Sequence, residues 1–148
     1  MQLSEEQCMK FPAVLKNKLL RREIELPDTT IFDYEPILVY RAVERTEHDH
    51  SEIRSEDFKS YFELRKTPKT ARGISKDWNK DPHYYGVSSF LDRKTVEQKM
   101  KFPNPKKKMA VGYVYKEGGP QDTNRREKHV CWWLFENADI SGFEIEER

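Results

Sequence analysis

The run His129-Val130-Cys131-Trp132-Trp133-Leu134-Phe135 constrains the fold of this chain more than any other stretch. It is too apolar for a loop and reads as a strand. Successive side chains of a strand point to opposite faces, so Trp132 and Trp133 leave it in opposite directions. One indole fills the core; the other faces a second layer, a cleft or a partner. Each ring can bury about 150–250 Å², so both sides of the strand need cover. A second run, Ile37 to Val43, is equally apolar and carries Arg41 in its middle. A chain of 148 residues has enough length for one domain around one real core.

Charged residues make up 36% of the chain, which taken alone suggests disorder, but the 12% aromatic content supplies a core beneath a charged surface. No apolar run approaches membrane-spanning length, so no membrane association is expected. The N-terminus opens with Ser4-Glu5-Glu6 rather than a basic region followed by a hydrophobic one, so no signal peptide is expected and the chain is placed in the cytoplasm. Cys8 and Cys131 lie far apart, and buried thiols fit them better than a disulfide.

The net charge of +1 conceals an asymmetry. Residues 1–64 hold 9 Lys/Arg against 14 Asp/Glu, residues 65–108 hold 13 against 4, and residues 109–148 hold 5 against 8. A basic middle between acidic flanks attracts an anionic ligand, an acidic protein or nucleic acid, or forms a solvated face that its own flanks complement.

Local signals give the order of elements. Ser4 to Gln7 has capping-box spacing and starts a short helix, which Pro12 interrupts before a second, amphipathic helix carrying Val14, Leu15, Leu19 and Leu20. Ile37 to Val43 is a strand. Ser55 caps a helix carrying Phe58, Tyr61, Phe62 and Leu64. Residues 67–82 form a long basic loop. Tyr84 to Phe90 is a strand, and Asp92 then caps a helix containing Val96 and Met100. Met109 to Tyr115 alternates as a strand, a polar loop follows Gly118-Gly119-Pro120, and His129–Phe135 and Phe143–Ile145 close the chain. The expected fold is α+β: a single compact domain over residues 1–148, with an N-terminal helical segment (1–27) and an α+β core (37–146). Its small mixed or antiparallel sheet has about five strands with three or four short helices.

Several chemistries lack their motifs. His48-x-His50 has no companion ligands at zinc spacing, so no metal is expected. No phosphate-cradling glycine loop follows a strand, and Gly86-Val87-Ser88-Ser89 is not a nucleophile elbow. Cys131 lies between Val130 and Trp132, a poor place to activate a thiol. Arg41, flanked by apolar residues, must meet an acid or an anionic ligand, because an unpaired buried charge is costly.

Tyr40-Arg41, Val87-Ser88-Ser89-Phe90 with the helix after it, Glu127-Lys128-His129 entering an apolar strand, and Phe143-Glu144-Ile145 together resemble the ADP-ribosyltransferase fold over roughly residues 37–146. The resemblance implies NAD or a related nucleotide as ligand, held by Arg41 and Ser88. It implies a stacking ring from Tyr84, Tyr85, Trp132 or Trp133, and Glu127 or His129 steadying the sugar as the nicotinamide–ribose bond breaks. His129 stands where that family's turn carries its second acid, which implies nucleotide binding without turnover if the acid is truly replaced. The Asp57-Phe58-Lys59-Ser60-Tyr61 segment is also similar to one in small bacterial proteins of unknown function. The rival expectation is a non-catalytic interaction module that docks an acidic protein or nucleic acid through residues 65–108. Convergence of Arg41, Ser88 and residue 127 or 129 on one open cleft separates the two.

Overall fold

The computed structural model describes residues 1–64 and 78–146. The expected basic loop over 67–82 lies mostly outside the described residues. Helix α1 (Glu5–Cys8) begins at Ser4, whose hydroxyl accepts from the Gln7 amide while the Gln7 side chain accepts from the Ser4 amide. Helix α2 (Ala13–Leu20) starts after Pro12. The strands are β1 (Ile37–Glu44), β2 (Val87–Phe90), β3 (Lys107–Val114), β4 (Gln121–Asn124), β5 (His129–Trp132) and β6 (Glu144–Ile145), with α3 (Arg93–Lys99) after β2. All strand pairs are antiparallel, in the order β4-β5-β2-β1-β3-β6. The domain is α+β as expected, with one strand more than expected.

That strand is β4. Gln121-Asp122-Thr123-Asn124 has no apolar residue to mark it, yet it pairs with β5 residue for residue. Two more expectations are corrected. The stretch after Ser55 is not a helix through Leu64 but one 3-10 turn, Ser55–Phe58, followed by extended Lys59. Asp57, held by Arg45, anchors that turn by accepting the Arg54 amide, and Ser60 and Glu63 then cap a separate turn. Nor does β2 begin at Tyr84: Asp81 accepts the His83 amide and Pro82 opens a 3-10 turn through Tyr85, so the strand starts at Val87.

Register divides the sheet into two faces. Tyr40 opposite Phe90, Ala42 opposite Met109, and Phe90 opposite His129 put these residues on one face, beneath α3, where Val96 packs with Phe90 and Met109. Val39, Val87, Val114, Val130 and Trp132 occupy the other face with Phe58 and Phe143. Gly112 lets that layer close, since a β-carbon there would come within 2.5 Å of the Phe143 ring. A third cluster gathers α1, α2, Ile24 and Leu26 around Cys131, Trp133, Tyr84 and Tyr85. β5 ends at Trp132, three residues short of the expected strand, and the two tryptophans still enter different clusters. Both indole N–H groups are satisfied, Trp132 by the Gly119 carbonyl and Trp133 by the Pro82 carbonyl. Leu38 and Tyr113, paired across β1 and β3, stay exposed, so this end of β1 is not covered on both sides.

Candidate functional site

Ser88 and His129 meet. Ser88 is opposite Cys131 and His129 is opposite Phe90, which makes Ser88 and His129 diagonal neighbours on the α3 face. Their Oγ and Nε2 atoms are 2.7 Å apart. An imidazole protonated at Nδ1 accepts the serine proton; the other tautomer donates to the hydroxyl. His129 also stands edge-on to Phe90 at 5.4 Å between ring centres. Burial, aided by the positive potential of His83 and Lys99, lowers its pKa to about 4, and Asp122 and Glu127 only partly oppose this. The ring is therefore neutral at pH 7. A base that weak has little drive to take a serine proton, so the contact favours holding over nucleophilic attack.

Beside this pair, the His83 Nδ1 lies 3.0 Å from Asp81 and its Nε2 lies 3.7 Å from Asp122. Asp122 is opposite Cys131, and with Asp81 it joins burial in raising the thiol pKa well above its usual value, so Cys131 stays protonated. Cys8 and Cys131 are both free thiols. Among the described residues, no group of three or more His, Cys, Asp or Glu could hold a metal ion.

The other predicted residues lie elsewhere. Arg41 is opposite Ala110 in β3, which places it on the face away from the Ser88 hydroxyl and His129. Its Nη1 donates to the Ser88 carbonyl, beyond the single bridge that joins β1 to β2. Its guanidinium lies over the Phe58 ring at 5.3 Å, and Nε is buried without a partner. Burial lowers the Arg41 pKa to about 10, against the opposing pull of Asp57 and Tyr61. Glu127 is exposed in the β4–β5 turn, where its amide donates to Asn124. Tyr85 is buried, with its hydroxyl on the Asn79 carbonyl. Trp132 is 1% exposed and lies between Tyr115 and Phe143, leaving no free ring face. Of the eight predicted site residues, the fold brings the side chains of Ser88 and His129 into hydrogen-bond contact.

A separate cavity of about 320 Å³ opens between α2, the turns over 55–63 and residues 134–140, with largely apolar walls that include Leu15, Phe58, Phe62, Tyr85 and Leu134. Sequence reasoning also missed Arg45. Its guanidinium grips Asp57 through two bonds of 2.7 Å and reaches the Glu44, Ser51 and Glu52 carbonyls. Arg41 drew attention because apolar residues flank it, whereas Arg45 follows Glu44 at the strand end and carried no such signal.

No family model matches the chain, and neither the curated proteins nor the solved structures give a significant match. No helix among the described residues is long and apolar enough to cross a membrane.

Proposed function

We propose that this chain is a non-catalytic interaction module that docks on an acidic partner, a protein or a nucleic acid, through its basic segment. The observation that carries this reading is the exposure of Lys94, Lys99, Lys101 and Lys106, none of which forms an ion pair among the described residues. Exposed like charges left uncompensated raise the local potential and draw anionic partners at a salt-dependent rate. The dispersal of Arg41, Glu127, Tyr85 and Trp132 supports the same reading, since catalysis needs its groups on one reacting centre. Retention on immobilised heparin, as a generic polyanion, tests it: elution only with added salt is expected, and flow-through in low salt overturns it.

The Ser88–His129 contact favours a second reading, in which NAD or a related nucleotide binds on the α3 face without turnover. A serine hydroxyl and a neutral imidazole suit a ribose hydroxyl or a base edge. On this reading, calorimetric titration of NAD gives saturable binding that Ser88→Ala weakens and Arg41→Ala leaves in place. Absence of heat with folded protein removes it.

A further inference from the structure

The fold unites basic groups that the sequence separates. Residues 125–128, Arg-Arg-Glu-Lys, form the turn between β4 and β5, and the same turn sits against the start of α3. The Lys128 carbonyl accepts the Leu91 amide at 2.8 Å, and Lys128 Nζ lies 3.0 Å from the Asp92 carboxylate that caps α3. From there α3 extends for about 10 Å, given a rise of about 1.5 Å per residue. The 100–107 turn follows directly, held by the Phe102 amide on Glu97 and the Asn104 side chain on the Met100 carbonyl.

Residues 92–108 and 125–128 together carry ten Lys/Arg against three Asp/Glu, in a chain whose net charge is only +1. Internal compensation is partial. Arg93 is taken by Glu146, Lys128 by Asp92, and Lys108 reaches the Asp49 carbonyl. Lys94, Lys101, Lys106, Arg125 and Arg126 are exposed and form no ion pair among the described residues.

We propose that this strip, running from the β4–β5 turn along α3 to the 100–107 turn, binds the phosphate backbone of double-stranded nucleic acid without reading its sequence. The inference rests on the reading of an acidic partner and names its class. Two features favour a duplex over an acidic protein or a single strand. Protein interfaces need an apolar or aromatic centre, and none of the exposed large hydrophobic side chains belongs to the strip. Single-strand binding adds base stacking on exposed aromatic rings, and Tyr113, the exposed aromatic residue among the described residues, lies on β3 outside it. What the strip does offer, exposed cations on a helix and the turns at its two ends, is what phosphate neutralisation requires.

The test is fluorescence anisotropy of the full chain with a short labelled DNA duplex, titrated over a range of salt, with polyglutamate as the acidic-polypeptide probe. If four cations engage, affinity falls on the order of a hundredfold between about 50 and 200 mM salt. Arg125→Gln/Arg126→Gln and Lys94→Gln/Lys101→Gln each reduce the log–log salt slope by about 1.8, because each removes two charges. Lys16→Gln/Arg21→Gln, remote in sequence and carried by the α2 region, leaves the slope unchanged. Circular dichroism confirms that each variant is folded. Duplex binding that both strip variants leave intact overturns the surface. Binding of polyglutamate in preference to duplex overturns the nucleic-acid partner while the docking reading stands. Binding of neither probe removes both.

Discussion

Asp57→Ala tests the energetics of the Arg45–Asp57 pair directly. The Arg45 side chain is fully buried and that of Asp57 is 4% exposed, with two nitrogen–oxygen contacts of 2.7 Å between them. The carboxylate also accepts the Arg54 amide at 2.9 Å, so its removal takes an anchor from the 3-10 turn as well. Three backbone carbonyls still hold the guanidinium, but its bound carboxylate is gone and the weaker pull of Asp49 remains. Breaking a buried pair from one side costs about 3–5 kcal/mol, because the surviving charge keeps its desolvation penalty. At about 2–4 °C per kcal/mol for a domain near this size, the melting temperature falls by roughly 10 °C. Urea denaturation with matched slopes gives the free energy, and calorimetry gives the temperature. Arg45→Met/Asp57→Leu separates the causes: with the Arg45 charge removed as well, it recovers part of the loss, while Arg41, which Asp57 also attracts, keeps its own share. A single variant that costs less than about 1 kcal/mol, or a double variant less stable than the single, refutes the assignment of the penalty to the orphaned cation.

Because the folded-state pKa of His129 is lowered to about 4 from an ordinary value of 6.5, the unfolded chain binds the extra proton first as pH falls. This residue's contribution is complete above pH 6.5 and is lost towards pH 4, by at most on the order of 3 kcal/mol. His129→Gln therefore flattens the stability–pH profile in that window, measured by urea denaturation, and an unchanged profile contradicts the buried neutral imidazole. Gly119 has φ of +136°, and a β-carbon there would lie 2.0 Å from the Trp133 carbonyl oxygen. Gly119→Ala is expected to cost more than about 2 kcal/mol in thermal unfolding, through strain and backbone clash together, and a near-neutral result contradicts the turn geometry. Asp92→Asn loses the charge that binds Lys128 while retaining an amide oxygen for the Thr95 amide. It is expected to loosen the β4–β5 turn from α3, seen as faster hydrogen exchange of the Leu91 amide, whereas unchanged exchange would show that the ion pair does not hold the turn.

Much of the element order was legible because local chemistry decides it. Ser4 and Asp92 cap their helices through their own side chains, and the alternation from Met109 survives in β3 as far as Val114, with Tyr115 beyond the strand end. The opposite directions of Trp132 and Trp133 follow from strand geometry, which needs no knowledge of neighbours. Polar Gln121–Asn124 is different: it becomes a strand because β5 offers it a ladder, and no composition signals that. The same holds for the turn at Ser55–Phe58, where Arg45, twelve residues before Asp57, settles the local conformation.

For the candidate site, the sequence alone determined which residues carry charge, donors and rings, and of the residues it grouped, Ser88 and His129 meet through a hydrogen bond. Tertiary structure decided which faces they share. A register of one residue sends Arg41 to the face away from the Ser88 hydroxyl, because the side-chain period of a strand is two. Packing closed both faces of Trp132, and the antiparallel hairpin carried Arg125, Arg126 and Lys128 from an acidic third of the sequence to the basic helix at Asp92. Charge is written residue by residue in the chain, but the field it makes depends on distance through space, and only the fold sets those distances.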